Sequence, residues 1–189
     1  MIRVIIFDFY DVFRSDGYNR WLRKRGLRRE GAYLTASERH DRGKYSDKQF
    51  FQAVSDASGE PVEAIEHELE TGNQLNRELV EFATTLRPNY IIALLSNSSS
   101  DYLRHELGQY DLEKLFDEVF ISSEIGLIKP ESAAFKHVLD AVGVQAEESI
   151  FIDDNPGHVA AAEKLGIHGI VFTSVASLKK QLRPLLQNK

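Results

Sequence analysis

Four short runs of branched and aromatic residues constrain this chain more than any other feature: Arg3–Phe7, Tyr90–Leu95, Ser149–Ile152 and His168–Phe172. Their apolar character is nearly continuous rather than alternating. Such strands must be covered on both faces, the condition met by a parallel sheet lying between helical layers. Helical patterns at about Ser100–Leu107, Ser132–Val142, Pro156–Leu165 and Val175–Gln187 fall between or after these runs. The succession predicts an α/β fold with a doubly wound, Rossmann-like parallel sheet. The terminal Gln187-Asn188-Lys189 is expected to fray.

The first two strands are separated by a segment from about Asp16 to Leu86 that contains no good strand and several helix-start signals. Thr35-Ala36-Ser37-Glu38 and Ser46-Asp47-Lys48-Gln49 both match a capping box, in which a hydroxyl and a carboxylate or amide satisfy each other's orphan backbone amides. Gly59-Glu60-Pro61 breaks the pattern, and a further helix is expected to start near Pro61. A helical insertion placed straight after the first strand lies above the carboxyl ends of the strands, where open α/β sheets bind ligands. The expected division is a core of residues 1–15 and 87–189 and a small all-helical cap of residues 16–86 that acts as a lid.

Composition removes several function classes. The chain has no cysteine, so thiol nucleophiles, disulfides and thiolate metal sites are excluded and a reducing, cytoplasmic setting is expected. No stretch approaches the roughly 20 apolar residues of a membrane span. The formal net charge of −6 argues against nonspecific nucleic-acid binding, although Arg20, Arg23, Lys24, Arg25, Arg28 and Arg29 form a local basic cluster whose sign suits an anionic ligand. The apolar leucines of the last helix, Leu178, Leu182, Leu185 and Leu186, are expected to pack on the sheet, which leaves monomer or homodimer open.

Chemistry concentrates where apolar runs end. Ile5-Ile6-Phe7 runs into Asp8, with Tyr10 and Asp11 close behind. Leu94-Leu95 runs into Ser96-Asn97, ahead of a helix start able to hold an anion. Lys129 is a lone cation in the loop Gly126-Leu127-Ile128-Lys129-Pro130, and Ile150-Phe151-Ile152 ends in Asp153-Asp154-Asn155. Singly, a turn explains Asp8, a helix cap explains Ser96, and a solvated lysine explains Lys129. The paired acids are more demanding, because adjacent carboxylates at a buried strand end raise at least one pKa unless a cation lies between them. One or two carboxylates with oxygen ligands alone is the pattern of Mg2+, and no paired histidine spacing favours zinc. His40, His105, His137, His158 and His168 fall on expected helices or a strand, and His67 on the insertion's surface.

In this order and placement, the four segments resemble the motifs of the haloacid dehalogenase-like hydrolase superfamily, from about Ile2 to Ile170. Ile125-Gly126-Leu127-Ile128-Lys129-Pro130 and Phe151-Ile152-Asp153-Asp154-Asn155, with Leu165-Gly166-Ile167 beyond, extend the likeness. The resemblance implies that Asp8 attacks phosphorus to form an aspartyl-phosphate and that Ser96, Asn97 and Lys129 hold the phosphoryl oxygens. It further implies a Mg2+ site made of Asp8, the Tyr10 carbonyl, Asp154 and Asp153, the last through water or by orienting the site. The expected activity is Mg2+-dependent hydrolysis of a small phosphorylated metabolite.

One departure matters. Phosphatases resembling this chain carry a second Asp two residues after the nucleophile, which protonates the leaving oxygen, and here that position is Tyr10. Its loss predicts a preference for good leaving groups, since a general acid supplies about 10²–10⁴-fold. Asp11 is no obvious substitute, and a cap histidine such as His40 is a remote one. Tyr10 also suits a 2-haloacid dehalogenase, where halide leaves unprotonated, or a noncatalytic binding relative. The retained Asp153 and Asp154 favour the phosphatase. Arg14, Trp21 and the neighbouring arginines are expected to be mainly a solvated helix face with one buried aromatic.

Overall fold

The structure, a computed structural model, describes residues 1–187, so Asn188 and Lys189 of the expected frayed end lie outside the described residues. Five strands, β1 (Val4–Phe7), β2 (Ile91–Ser96), β3 (Glu118–Ile121), β4 (Ser149–Asp153) and β5 (His168–Val171), form one parallel sheet in the order β3-β2-β1-β4-β5. The doubly wound α/β architecture is therefore present. β3 was absent from the sequence reading because it is a short edge strand beginning with an exposed Glu118 and a half-buried Val119, which breaks the apolar run.

Period-two alternation divides the strands' apolar residues between two faces. Ile5, Phe7, Ile92, Leu94, Ile150 and Ile152 pack with Leu79, Leu103 and Leu178. Val4, Ile6, Ala93, Leu95 and Phe151 pack with Phe135, Val138 and Ala162. The covering helices on the first face are α5 (Arg77–Leu86), α6 (Ser100–Gln109) and α10 (Val175–Leu186). On the second they are α8 (Ser132–Val142) and α9 (Pro156–Glu163); a single turn, α7 (Ser122–Ile125), follows β3. Both faces are buried, which is why the strands read as unbroken apolar runs.

Four helices lie between β1 and α5: α1 (Gly17–Lys24), α2 (Gly31–Asp41), α3 (Asp47–Ser58) and α4 (Val62–Glu70). They bury a separate core of Tyr18, Trp21, Leu22, Phe50, Phe51, Val54, Ile65 and Leu69. At Gly17 a Cβ would lie 2.4 Å from the Leu69 carbonyl oxygen, so only glycine lets α1 approach α4 this closely. α5 falls inside the 16–86 segment, yet its Leu79, Ala83 and Leu86 belong to the sheet's core.

The Ser46 capping box forms, with Ser46 Oγ accepting from the Gln49 amide at 3.3 Å and the Gln49 side chain accepting from the Ser46 amide at 2.9 Å. The Thr35 box does not open a helix. α2 starts earlier, at Gly31, and the Thr35 hydroxyl donates to the Gly31 carbonyl four residues back, an alternative open to any mid-helix threonine.

The basic cluster is largely consumed within the insertion. Arg25 pairs with Glu60 and Glu68 and lies over the Trp21 ring, Lys24 pairs with Glu68, and Arg20 donates to the Glu68 carbonyl. Of the six cations only Arg29 lines the cavity described below, and it lies 3.7 Å from Asp16. Among the described residues no helix is long and apolar enough to cross a membrane.

Candidate active site

The chain winds outward from β1 through β2 to β3, then returns to place β4 on the other side of β1. The crossovers therefore diverge beside β1, and a crevice opens at the carboxyl ends of β1 and β4. Asp8 follows the last residue of β1, tied in by its amide donating to the Ile152 carbonyl at 2.8 Å, and Asp153 ends β4. Both are buried.

Lys129 reaches the same point from the loop before α8, with Nζ 2.7 Å from Asp8 Oδ1 and 2.7 Å from Asp153 Oδ2, and is 2% exposed. The surface-lysine alternative is thus excluded. Burial works against the ammonium charge, but Asp8 and Asp153 outweigh it and leave the Lys129 pKa above its ordinary value. Burial likewise raises Asp153, yet Lys129 and His158 more than reverse this and hold it low.

Asp8 is pushed up, first by burial and then by Asp153, against the pull of Lys129. Asp154 is raised to about 6 by burial, Asp153 and Asp11. The three acids offer oxygens that lie within 4.8 Å of one another. Three carboxylates around one lysine leave the site short of positive charge, which a divalent cation with all-oxygen ligation would supply. The donor set fits Mg2+.

Ser96 ends β2, is fully buried, and its Oγ has no hydrogen-bond partner among the described residues, so it is able to donate to a bound anion. Asn97 has a different task from the one expected of its side chain. Its Nδ2 donates to the Lys129 carbonyl and its Oδ1 accepts from the Lys129 amide, both at 2.9 Å, so the carboxamide clamps the lysine loop.

Tyr10 lines the crevice with its hydroxyl 3.1 Å from Ser98 Oγ, its ring stacked on Tyr102, and its pKa raised well above the ordinary value by burial. Asp11 takes a left-handed backbone, φ 55°, and its Oδ1 accepts from the Asp16 amide at 2.9 Å. It therefore stabilises the turn out of β1.

Arg14 differs from the expectation of a solvated face. It is 2% exposed, with Nε 2.5 Å from Glu106 Oε2 and Nη2 donating to Glu106 Oε1 at 2.9 Å. Its partners on α6, Glu106 and Tyr102, lying 92 and 88 positions away, explain this burial.

Asp8, Tyr10, Asn97, Lys129 and Asp154 line one cavity of about 330 Å3, closed on its far side by the insertion through Tyr18, Leu34, His40, Asp41, Asp47 and Phe50. Sequence reasoning gave one of its members, His158, no role and another, His40, only a remote one. His158, on the first turns of α9, has Nδ1 3.0 Å from Asp153 Oδ2; its spacing of five from Asp153 across a helix start was the available signal. His40 Nε2 lies 2.7 Å from Asp47 Oδ1, which also accepts from the Ser99 hydroxyl at 2.8 Å.

A crevice at the switch point of a doubly wound sheet, furnished with a strand-end carboxylate, a bridging lysine and paired acids, defines an α/β hydrolytic enzyme. The family model for haloacid dehalogenase-like hydrolases matches residues 2–166, and the chain belongs to that family. A predicted HAD-like family hydrolase from Porphyromonas gingivalis is 25% identical and matches with a TM-score of 0.77 over 100% of both chains. A HAD family enzyme from Bacteroides thetaiotaomicron, in complex with magnesium and inorganic phosphate, shares the fold at 19% identity, with a TM-score of 0.74 over 94% of this chain and 99% of that one. Phosphoserine phosphatase from Thermus thermophilus is 31% identical over 135 residues, 68% of this chain and 54% of the relative. The first curated relatives are spanned only in part, from 36% to 54% of their length.

Proposed function

We propose that this chain is a Mg2+-dependent phosphatase that hydrolyses a small phosphorylated metabolite through an aspartyl-phosphate on Asp8. The observation that carries the reading is the convergence of Asp8, Asp153 and Asp154 around Lys129, beside the unpartnered Ser96 hydroxyl. Asp8 attacks phosphorus, Ser96 and Lys129 hold phosphoryl oxygens, and the Asn97 side chain keeps Lys129 in place. Asp8, Asp154 and the Tyr10 carbonyl would hold Mg2+, which when bound neutralises charge on the transferring phosphoryl group. Asp153, with both oxygens engaged by Lys129, His158 and the Asn155 amide, orients Lys129 and would add its charge to the Mg2+ site.

The phosphatase in the Thermus relative's name and the magnesium and phosphate in the Bacteroides structure point the same way. Residues 16–75 serve as the cap, with α5 belonging to the core.

Tyr10 is a poor proton donor, because its hydroxyl is committed to Ser98 and burial raises its pKa. The core residues alone therefore favour good leaving groups. A tyrosine here also favours a second reading, a 2-haloacid dehalogenase, against which the paired acids of β4 weigh. Hydrolysis of p-nitrophenyl phosphate with Mg2+ or EDTA, run beside halide release from 2-chloropropionate, separates them. Phosphate release that EDTA or Asp8→Asn abolishes is expected. Halide release without metal would replace the phosphatase with the dehalogenase, and inactivity in both assays would leave a binding role.

A further inference from the structure

Position 10 offers no ready proton donor, and the end of α2 borders the same cavity. Residues 40–42, where α2 ends, are fastened to the core one after another. His40 bonds Asp47, which accepts from Ser99 at the start of α6. The Asp41 carbonyl accepts from the Ser122 hydroxyl at the start of α7. Arg42 forms a two-pronged pair with Glu131 at the start of α8. Among the described residues, the Asp41 carboxyl is the one side chain of the three that no hydrogen bond or ion pair engages, and Asp41 lines the same cavity as Asp8.

We infer that Asp41 is the general acid and base of this enzyme, donating a proton to the leaving oxygen and later taking one from the attacking water. The inference rests on the phosphatase reading and supplies what Tyr10 cannot. In the first half-reaction an Asp8 oxygen bonds to phosphorus and the bond from phosphorus to the leaving oxygen breaks. The electron pair stays on that oxygen, which takes the Asp41 proton and departs as an alcohol. In the second, water adds to phosphorus and loses its proton to the Asp41 carboxylate. The acyl-phosphate bond breaks, Asp8 returns as a carboxylate, and inorganic phosphate leaves with Asp41 protonated again.

The surroundings suit both roles. Burial raises the Asp41 pKa, opposed by Arg29, His40 and Lys129 and assisted by Asp16. A carboxyl shifted upward toward working pH donates more readily than a phenol and still accepts readily. Anchors on either side hold the donor still while leaving its oxygens free, the preorganisation that proton transfer needs.

The test compares wild type with Asp41→Asn and Asp41→Glu, with Mg2+, on p-nitrophenyl phosphate and on an alkyl phosphate such as glycerol 2-phosphate. In Asp41→Asn, phosphoenzyme formation from the alkyl ester should fall about 10²–10⁴-fold. Formation from the aryl ester should stay within about tenfold, visible as a burst of one nitrophenolate per enzyme followed by slowed turnover. Asp41→Glu should restore part of the alkyl rate, which a purely structural role would not predict. Equal losses on both esters, or none, would overturn the assignment while leaving the phosphatase standing. Wild type inactive on both esters overturns the two together.

Discussion

In the sheet, Asp8 and Asp153 are placed by backbone ladders that run along β1 and β4. In the insertion, His40 and Asp41 are placed over the same cavity, with Arg42 next in the chain, by contacts that each depend on a side chain. The difference is one of stiffness. A parallel ladder buried on both faces fixes its strand ends collectively, whereas three polar contacts at a half-exposed seam can break and re-form singly. Under the proposed function, the nucleophile and the metal ligands would then sit on the rigid part, and the groups that meet the leaving group on the part able to open for it.

The comparison is broken most severely at the sheet. Lys129→Met would leave Asp8 and Asp153 buried without their shared cation, and the loss is expected to be about 3–5 kcal/mol in urea unfolding. Phosphatase activity should fall with it, by 10² or more, as a donor to the phosphoryl oxygens disappears. Unchanged stability would mean that the two carboxylates are not ionised together in the folded protein.

Arg14 stands at the junction, where the chain leaves β1 for the insertion and pairs with Glu106 of α6. Arg14→Met strands a buried carboxylate, and a loss of about 3 kcal/mol is expected by the same measurement. A much smaller loss would show that Glu106 takes up a proton in the variant.

The smallest effect belongs to the seam. Arg42→Ala removes a partly exposed pair with Glu131 and should lower stability by less than about 1 kcal/mol. Its effect should appear in KM, as weaker closure, with kcat for an aryl phosphate little changed. If Arg42→Ala destabilises as much as Arg14→Met, the insertion is seated as firmly as the strands, and the contrast between the two regions fails.

The sequence by itself determined four of the sheet's five strands, its parallel sense and the polar groups at those strands' ends, because these depend on adjacency. An apolar run long enough for a strand brings the next residue to the carboxyl edge wherever the strand lies, so Asp8, Ser96 and Asp153 were readable without a neighbour in view. Lys129 was readable from its place in an ordered set of motifs.

Tertiary structure alone decided the rest. β3 has two of four positions open to solvent, and an edge strand so short carries too little apolar signal to be read. Arg14 looks like a surface arginine until α6 supplies Glu106, and Asn97 looks like an anion ligand until Lys129 takes both ends of its amide. Asp41 is one acid among many along the chain, and becomes a candidate only when α2 is laid across the strand ends. Partners 30 to 90 residues apart are chosen by how helices pack, and that choice is settled by shape and burial over whole faces, which no local pattern records.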